Sequence, residues 1–190
     1  MKMKKSWMAL AAMTLALCGL VKEAGATTQT LNLLVTPSCS RSLTVATAGS
    51  TPYDFGASVA FGGTTASTRA VVVTNGSGCS DSVSLNITAN TGGTVQWSSN
   101  DVGGATTDKY NLYAAFATVA QSYSSLAQAS NQVKGGGAVL ASGSQFFGNT
   151  NGGVIVNGVP QNVWFGLALP TAQTDSAQEQ RTITTTFTSL

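Results

Sequence analysis

The chain has 190 residues, a net charge of +2 and no histidine, and only 8% of its residues are charged. Ordinary soluble domains contain about a quarter charged residues, so solubility here must depend on the hydroxyl and amide side chains of Ser, Thr and Asn. Without histidine, the chain lacks the general base that Ser-His-Asp and Cys-His catalysis require, which argues against these enzymes.

The first 26 residues have the three zones of a secretory signal peptide. Lysines near the start precede an apolar run at residues 7–20, and small residues follow at 24–26. An apolar run of about 14 residues is too short to cross ~30 Å of hydrocarbon as a helix. We therefore expect cleavage after residue 26 and export of residues 27–190 to the periplasm, the cell surface or the medium.

Cys18 raises an alternative fate for this leader. Residues 15–18 read Leu-Ala-Leu-Cys, which is close to a lipoprotein processing box. Such boxes place a small residue before the cysteine, and Leu17 is not small. We favour a cysteine that is discarded with the signal over an acylated one that tethers the chain to a membrane.

Loss of the leader changes the charge of the chain. Five basic and six acidic residues remain in residues 27–190, so the mature chain has a net charge of −1. No basic stripe is left to neutralise phosphates, which argues against nucleic-acid binding. No second long apolar segment is left either, so we expect no membrane span in the mature chain.

Two cysteines, Cys39 and Cys79, remain after cleavage. In an oxidising compartment, an isolated pair is most simply a disulfide. Closing a loop of about 40 residues would stabilise the fold by roughly 4 kcal/mol on the chain-entropy model. A metal site would need further ligands, and we expect neither a metal nor any other cofactor.

Short segments in which apolar and polar residues alternate dominate the mature chain, and turn dipeptides such as Asn-Gly separate them. The pattern predicts nine or ten short strands, including those at residues 30–35, 43–45, 69–74, 83–89, 94–98, 111–118, 154–156, 163–169 and 183–187. Residues 123–132 form the one plausible helical stretch. Strands at this spacing favour a single all-β domain, an antiparallel sandwich.

Two aromatic residues, Trp164 and Tyr113, stand on the opposite strand faces from the regular apolar residues beside them. If they are exposed on a flat sheet face, they could stack on sugar rings, as in a carbohydrate-binding module. In the alternative, which we favour, a connection such as residues 121–144 covers that face.

The acidic residues offer weaker candidates for chemistry. Asn100, Asp101 and Asp108 flank a Gly-Gly turn and present oxygen atoms of the kind that calcium prefers, but their spacing matches no defined calcium loop. We favour turn hydrogen bonding for these residues. A hydrolase that uses paired carboxylates ranks last among the functions considered.

The first third of the mature chain resembles a known class of secreted protein. The resemblance rests on residues 36–39 (Thr-Pro-Ser-Cys), 53–56 (Tyr-Asp-Phe-Gly), 71–73 (Val-Val-Val) and 78–79 (Gly-Cys). This pattern resembles the pilin-type sandwiches of chaperone–usher fimbrial subunits and of spore coat protein U-like domains. The chain departs from the pilin pattern at residues 187–190, where the penultimate tyrosine is missing.

The resemblance implies an immunoglobulin-like sandwich that lacks one strand and receives it from a neighbouring subunit. In that case Leu31, Leu33 and Val35 would be the donated side chains, because alternate residues of an added strand fill its groove. We therefore predict a non-catalytic structural protein, a subunit of a filament or coat, whose partners are further copies or other surface subunits. A carbohydrate-binding module is the alternative.

Overall fold

The computed structural model describes residues 40–47, 55, 59–150, 153–174 and 181–190. All of them belong to one compact unit, Ser38–Leu190. The predicted signal peptide, its cleavage site and the predicted strand at 30–35 lie outside the described residues. No helix in the described part of the chain is long and apolar enough to cross a bilayer.

The described residues form ten strands and almost no helix, which confirms the all-β prediction. The strands are β1 Leu43–Thr47, β2 Thr64–Ala66, β3 Val71–Asn75, β4 Val83–Thr91, β5 Ser98–Ser99, β6 Lys109–Phe116, β7 Gln132–Val133, β8 Val139–Leu140, β9 Gln161–Ala168 and β10 Thr182–Ser189. Helix α1, Tyr123–Leu126, and a 3₁₀ turn, Ala129–Asn131, lie between β6 and β7.

The strands form two sheets. The larger has the order β1-β3-β9-β6-β5, with β2 also paired to β9 and β7 to β6, and the smaller has the order β10-β4-β8. Every pairing is antiparallel except that of β5 with β6. Pairs distant in sequence, such as β3 with β9, hold the larger sheet together.

The hydrophobic core lies between the two sheets. Strand alternation turns Val73 and Val163 inward from the larger sheet and Leu85 inward from the smaller one, and all three side chains are fully buried. Phe116 and Ile155 are also fully buried in this core. Burying side chains of this size stabilises a fold by about 1.5–3 kcal/mol each, so this shared core holds the sheets face to face.

A second, smaller apolar cluster covers the outer face of the larger sheet. Helix α1 places Leu126 against Trp164 there. The helix approaches closely because β9 has glycine at position 166, where an added Cβ would lie 3.1 Å from Cβ of Leu126. Ser122 caps the helix by accepting a hydrogen bond from the N–H of Ser125 at 3.2 Å.

Three predicted elements differ from the structure. The predicted strand at 94–98 is reduced to β5, Ser98–Ser99, because Gly92 and Gly93 adopt positive φ and end the extended segment before it. Residues 154–156 form only an isolated bridge, in which Ile155 pairs with Asp81. The predicted helix at 123–132 is split into α1 and the 3₁₀ turn.

Candidate functional site

Strand β10 is an edge strand of the smaller sheet. It pairs with β4 along its whole length, from Thr182 opposite Thr91 to Ser189 opposite Val83, with an irregularity between Thr184 and Thr185. No strand among the described residues pairs with its other edge. An eight-residue strand spans about 27 Å, so this edge presents a long row of backbone donors and acceptors.

Apart from the irregularity between Thr184 and Thr185, the described edge of β10 lacks the usual protection against strand addition. Natural edge strands are commonly short, or carry lysine, proline or inward-pointing charges. The sequence of β10 is Thr-Ile-Thr-Thr-Thr-Phe-Thr-Ser, which contains no charge and no proline. The chemistry of this strand therefore favours pairing with another strand.

The inward side chains beside this edge are incompletely buried. Ile183 and Phe187 of β10 contact the core but are only half-buried, as is Leu43 of β1. Val45 shares the inward face of Leu43 by strand alternation, yet it is 44% exposed. Strands β1 and β10 approach each other across the two sheets. We call the space that these four side chains line the edge groove.

The edge groove has an ordered wall. The ring of Phe187 packs edge-to-face against Phe165 of β9, with ring centroids 6.3 Å apart. On the outer face, the hydroxyl groups of Thr186 and Thr88 lie 2.9 Å apart in a hydrogen bond between β10 and β4. These two contacts hold β10 and the Phe187 ring in place beside the edge groove.

The structure describes only part of the site predicted from the sequence. The donor candidates Leu31, Leu33 and Val35 and the disulfide candidate Cys39 lie outside the described residues. Cys79 is half-buried just after β3. Its carbonyl oxygen accepts hydrogen bonds from Nδ2 of Asn75 and Oγ of Ser77, both at 2.7 Å.

Trp164 is covered in the structure, which agrees with the favoured interpretation that a connection such as residues 121–144 lies over that face. Its side chain is 9% exposed, and its Nε1–H donates a 2.9 Å hydrogen bond to the carbonyl of Ala117. Tyr113 is half-buried and packs edge-to-face on Tyr123 of α1, with ring centroids 6.0 Å apart. Burial raises the pKa of the Tyr113 phenol. The connection that contains α1 packs against both residues, so Trp164 does not present a free ring face for a sugar.

Asp101 uses its carboxylate to hold a turn. Its oxygens accept hydrogen bonds from the N–H groups of Gly135 and Gly136 and from the hydroxyl of Ser99, at 2.8–3.0 Å. Burial acts to raise the pKa of Asp101, but these hydrogen bonds together with nearby Lys134 outweigh it and lower the pKa below its ordinary value.

Asp108 likewise binds its own surroundings. It has a positive φ of 55°, and its carboxylate accepts hydrogen bonds from the N–H and the hydroxyl of Thr174. Within the described residues, no three His, Cys, Asp or Glu side chains gather as they would around a metal ion. The arrangement around Asp101 and Asp108 is that of turns.

Sequence reasoning missed two features. The first is the edge position of β10. The one sequence feature that could have indicated it is the lack of charge in residues 182–189. The second is Asn75, which the sequence marks only as part of a turn. In the structure it is fully buried, donates to the carbonyl oxygens of Cys79 and Ile155, and accepts from the N–H of Ser77.

No protein-family model matches this sequence, and no curated protein and no solved structure matches it either.

Proposed function

We propose that this protein is an exported, non-catalytic structural subunit that assembles into a filament or coat by strand donation. The observation that supports the proposal most strongly is the uncharged edge of β10, which pairs with no other described strand, beside a groove of incompletely buried apolar side chains. A strand added to β10 would satisfy its backbone groups, and the side chains of that strand would fill the groove.

The order of the strands supports an incomplete immunoglobulin-like sandwich. Such domains have strands A-B-E-D in one sheet and C-F-G in the other. The order β1-β3-β9-β6 corresponds to A-B-E-D, and the pair β4 with β10 corresponds to C and F. Strand G would pair with the free edge of β10, and it has no counterpart among the described residues.

The segment before β1 has the properties that a donated strand needs. Leu31, Leu33 and Val35 alternate, so they would share one face of an extended strand. Residues 30–35 would span about 20 Å, which fits along β10. We propose that these three side chains fill the edge groove of a neighbouring copy.

A disulfide between Cys39 and Cys79 would fix the point where that segment joins the domain. In the pairing of β1 with β3, Leu43 lies opposite Asn75. Cys39 precedes Leu43 by four residues and Cys79 follows Asn75 by four residues, so the segment that carries Cys39 enters β1 at the same end of the sheet as the turn that holds Cys79.

Gel electrophoresis of the exported protein, unboiled and boiled, tests strand donation. We expect the unboiled wild type to run as a ladder of multiples that collapses to monomer on boiling. Leu33→Asp should remove the ladder, because a charge would enter an apolar groove. Asn32→Asp is the matched control: it adds the same charge on the other face of the segment and should keep the ladder.

Two results would contradict the proposal. If the unboiled wild type is monomeric at every concentration, it does not assemble. If Leu33→Asp retains the ladder, assembly does not use this segment. Near-ultraviolet circular dichroism of both variants must match the wild type, which shows that the domain itself still folds.

A further inference from the structure

The exposed large apolar side chains gather at one end of the domain. Of the ten such residues in the described part of the chain, seven lie at the end where β3 and β6 finish and where β4 and β9 begin. These seven, which we call the apolar end, are Val119, Leu140, Phe147, Val154, Val156, Val159 and Leu190. Contiguous exposed apolar surface on a soluble domain commonly marks an interaction site.

The loop at the centre of this surface is held firmly. Ile155 exchanges two backbone hydrogen bonds with Asp81, of 2.8 and 3.1 Å, and its carbonyl also accepts from Nδ2 of Asn75 at 2.8 Å. Because Ile155 is fully buried, alternation turns its neighbours Val154 and Val156 outward, where they are 57% and 51% exposed.

The other segments of the apolar end are fixed as well. Asn149 accepts from the N–H of Thr118 and donates to its hydroxyl oxygen, at 2.8 and 2.9 Å, which orders the loop that contains Val119. The N–H of Leu190 donates to the carbonyl of Ser82 at 2.9 Å. The exposed apolar side chains therefore stand on ordered backbone.

The proposed donor segment joins the domain at this same end. Strand β1 begins at Leu43, opposite Asn75 at the end of β3, and the N–H of Gly76 donates to the carbonyl of Ser42 at 2.9 Å. Five steps of the chain separate Val35 from Ser40, so even a fully extended connection spans at most about 18 Å. That is less than the ~30 Å diameter of a small domain.

This short tether constrains any copy that receives the segment. If Val35 lies in the edge groove of a second copy, the apolar end of the first copy must lie close to that second copy. Strand β10 runs from the opposite end of the domain toward the apolar end. A strand added antiparallel to β10 therefore leaves the groove at the opposite end, where Phe61 and Val102 are exposed.

We propose that the apolar end is a second interface of the assembly, which packs against the Phe61 and Val102 end of the copy that receives the donor segment. The inference rests on the proposed function. It makes the contact between copies head-to-tail, a heterologous contact that can continue into an open filament. Val102, at 84% exposed, becomes buried on assembly.

The rate at which assembled protein releases monomer tests this interface. Two variants charge its two sides, the double substitution Val154→Asp with Val156→Asp and the single substitution Val102→Asp. Ser124→Asp is the control, since it adds a charge at an exposed position of α1, away from both ends of the domain. We expect ladders from all three, because the donor segment is intact, but about tenfold or faster release of monomer from both interface variants at a fixed temperature.

Each outcome bears on a different part of the inference. Release at the wild-type rate from the double variant would overturn the apolar end as an interface. Fast release from the double variant with normal release from Val102→Asp would overturn the head-to-tail arrangement. A wild type that never forms a ladder would instead overturn the proposed function itself.

Domain stability is measured separately in the monomeric Leu33→Asp background. There, the added charges should leave the unfolding midpoint unchanged, because these side chains are exposed within one copy. A lower midpoint of the monomer would mean that the variants act on the fold and not on the interface.

Discussion

The two ends of this domain differ in chemistry. The apolar end exposes seven large apolar side chains, and the described charged residues near it are exposed Arg41 and buried Asp81. The opposite end exposes two large apolar side chains, and its charged residues include Asp101, Asp108 and Arg181. Exposed apolar side chains contribute little to the stability of one copy, so we interpret the apolar end as a surface for contact between copies.

The two ends are also held together differently. At the apolar end, one buried side chain, Asn75, joins the turn at residues 76–79 to the segment at Ile155, through the carbonyls of Cys79 and Ile155 and the N–H of Ser77. At the opposite end, several exposed or half-buried groups share that role. Arg181 lies over the ring of Trp97, 5.4 Å from its centroid, and Asp101 holds Gly135 and Gly136. A single substitution should therefore lower the free energy of unfolding most when it removes a side chain at the apolar end.

The largest expected effect in a single domain is that of Asn75→Ala. Removal of this side chain leaves the buried N–H of Ser77 without its acceptor and removes donors from two carbonyls, which should cost about 2–3 kcal/mol. For a domain of this size we expect the thermal midpoint to fall by about 5–10 °C. Asn149→Ala, which removes an exposed side chain, is the control and should shift the midpoint much less. Equal shifts in the two variants would contradict a special role for Asn75.

A smaller effect is expected from Tyr110→Phe toward the opposite end. Tyr110 is fully buried, and its hydroxyl donates to Oδ1 of Asn90 at 2.5 Å. Burial raises the pKa of this phenol far above its ordinary value, so it stays neutral through the working range of pH. We expect a loss of about 1–2 kcal/mol in chemical denaturation, because Asn90 loses its donor. An unchanged denaturation midpoint would show that water replaces the hydroxyl at no cost.

The smallest effect, and the one that depends on pH, is that of Asp101→Ala. The folded-state pKa of Asp101 lies below its ordinary value. The stabilisation that its ionised form contributes is therefore present above the unfolded pKa of about 4 and is lost as pH falls through the folded pKa. Denaturation curves of variant and wild type should differ by under about 1 kcal/mol at pH 7, and the difference should shrink as pH falls through the folded pKa. A difference that does not change between pH 7 and the most acidic pH at which the protein is folded would show that the charge of Asp101 is not what holds the glycine loop.

Much of the fold was predictable from local pattern. Strict alternation in residues 83–89, 163–169 and 183–187 identified β4, β9 and β10 with their inward faces. The prediction was wrong at 94–98, where alternation of Val95 and Trp97 looked like a strand but flanking glycines and contacts to Phe61 and Arg181 decided the conformation. A short alternating run next to Gly92 and Gly93 did not contain enough local information to separate the two outcomes.

Less of the candidate site was predictable. Alternation placed Trp164 correctly on the face opposite Phe165, and the favoured interpretation put the connection at residues 121–144 over that face, but no local pattern indicated which residues of the connection make the contact. The cover is α1, whose Leu126 reaches Trp164 across a glycine in β9. The exposure of Val154 and Val156 could not be predicted from the sequence either. It depends on the pairing of Ile155 with Asp81, which lies more than seventy residues earlier in the chain.

The sequence by itself determined the strand content of this protein, because the two-residue period of a strand is local and leaves its mark within five or six residues. It also determined that β10 contains no charged residue. Only the tertiary structure decided which strand lies at an edge, which residues cover the aromatic side chains and at which end of the domain the exposed apolar side chains lie. Those features depend on pairings between residues far apart in the chain, and no local pattern records them.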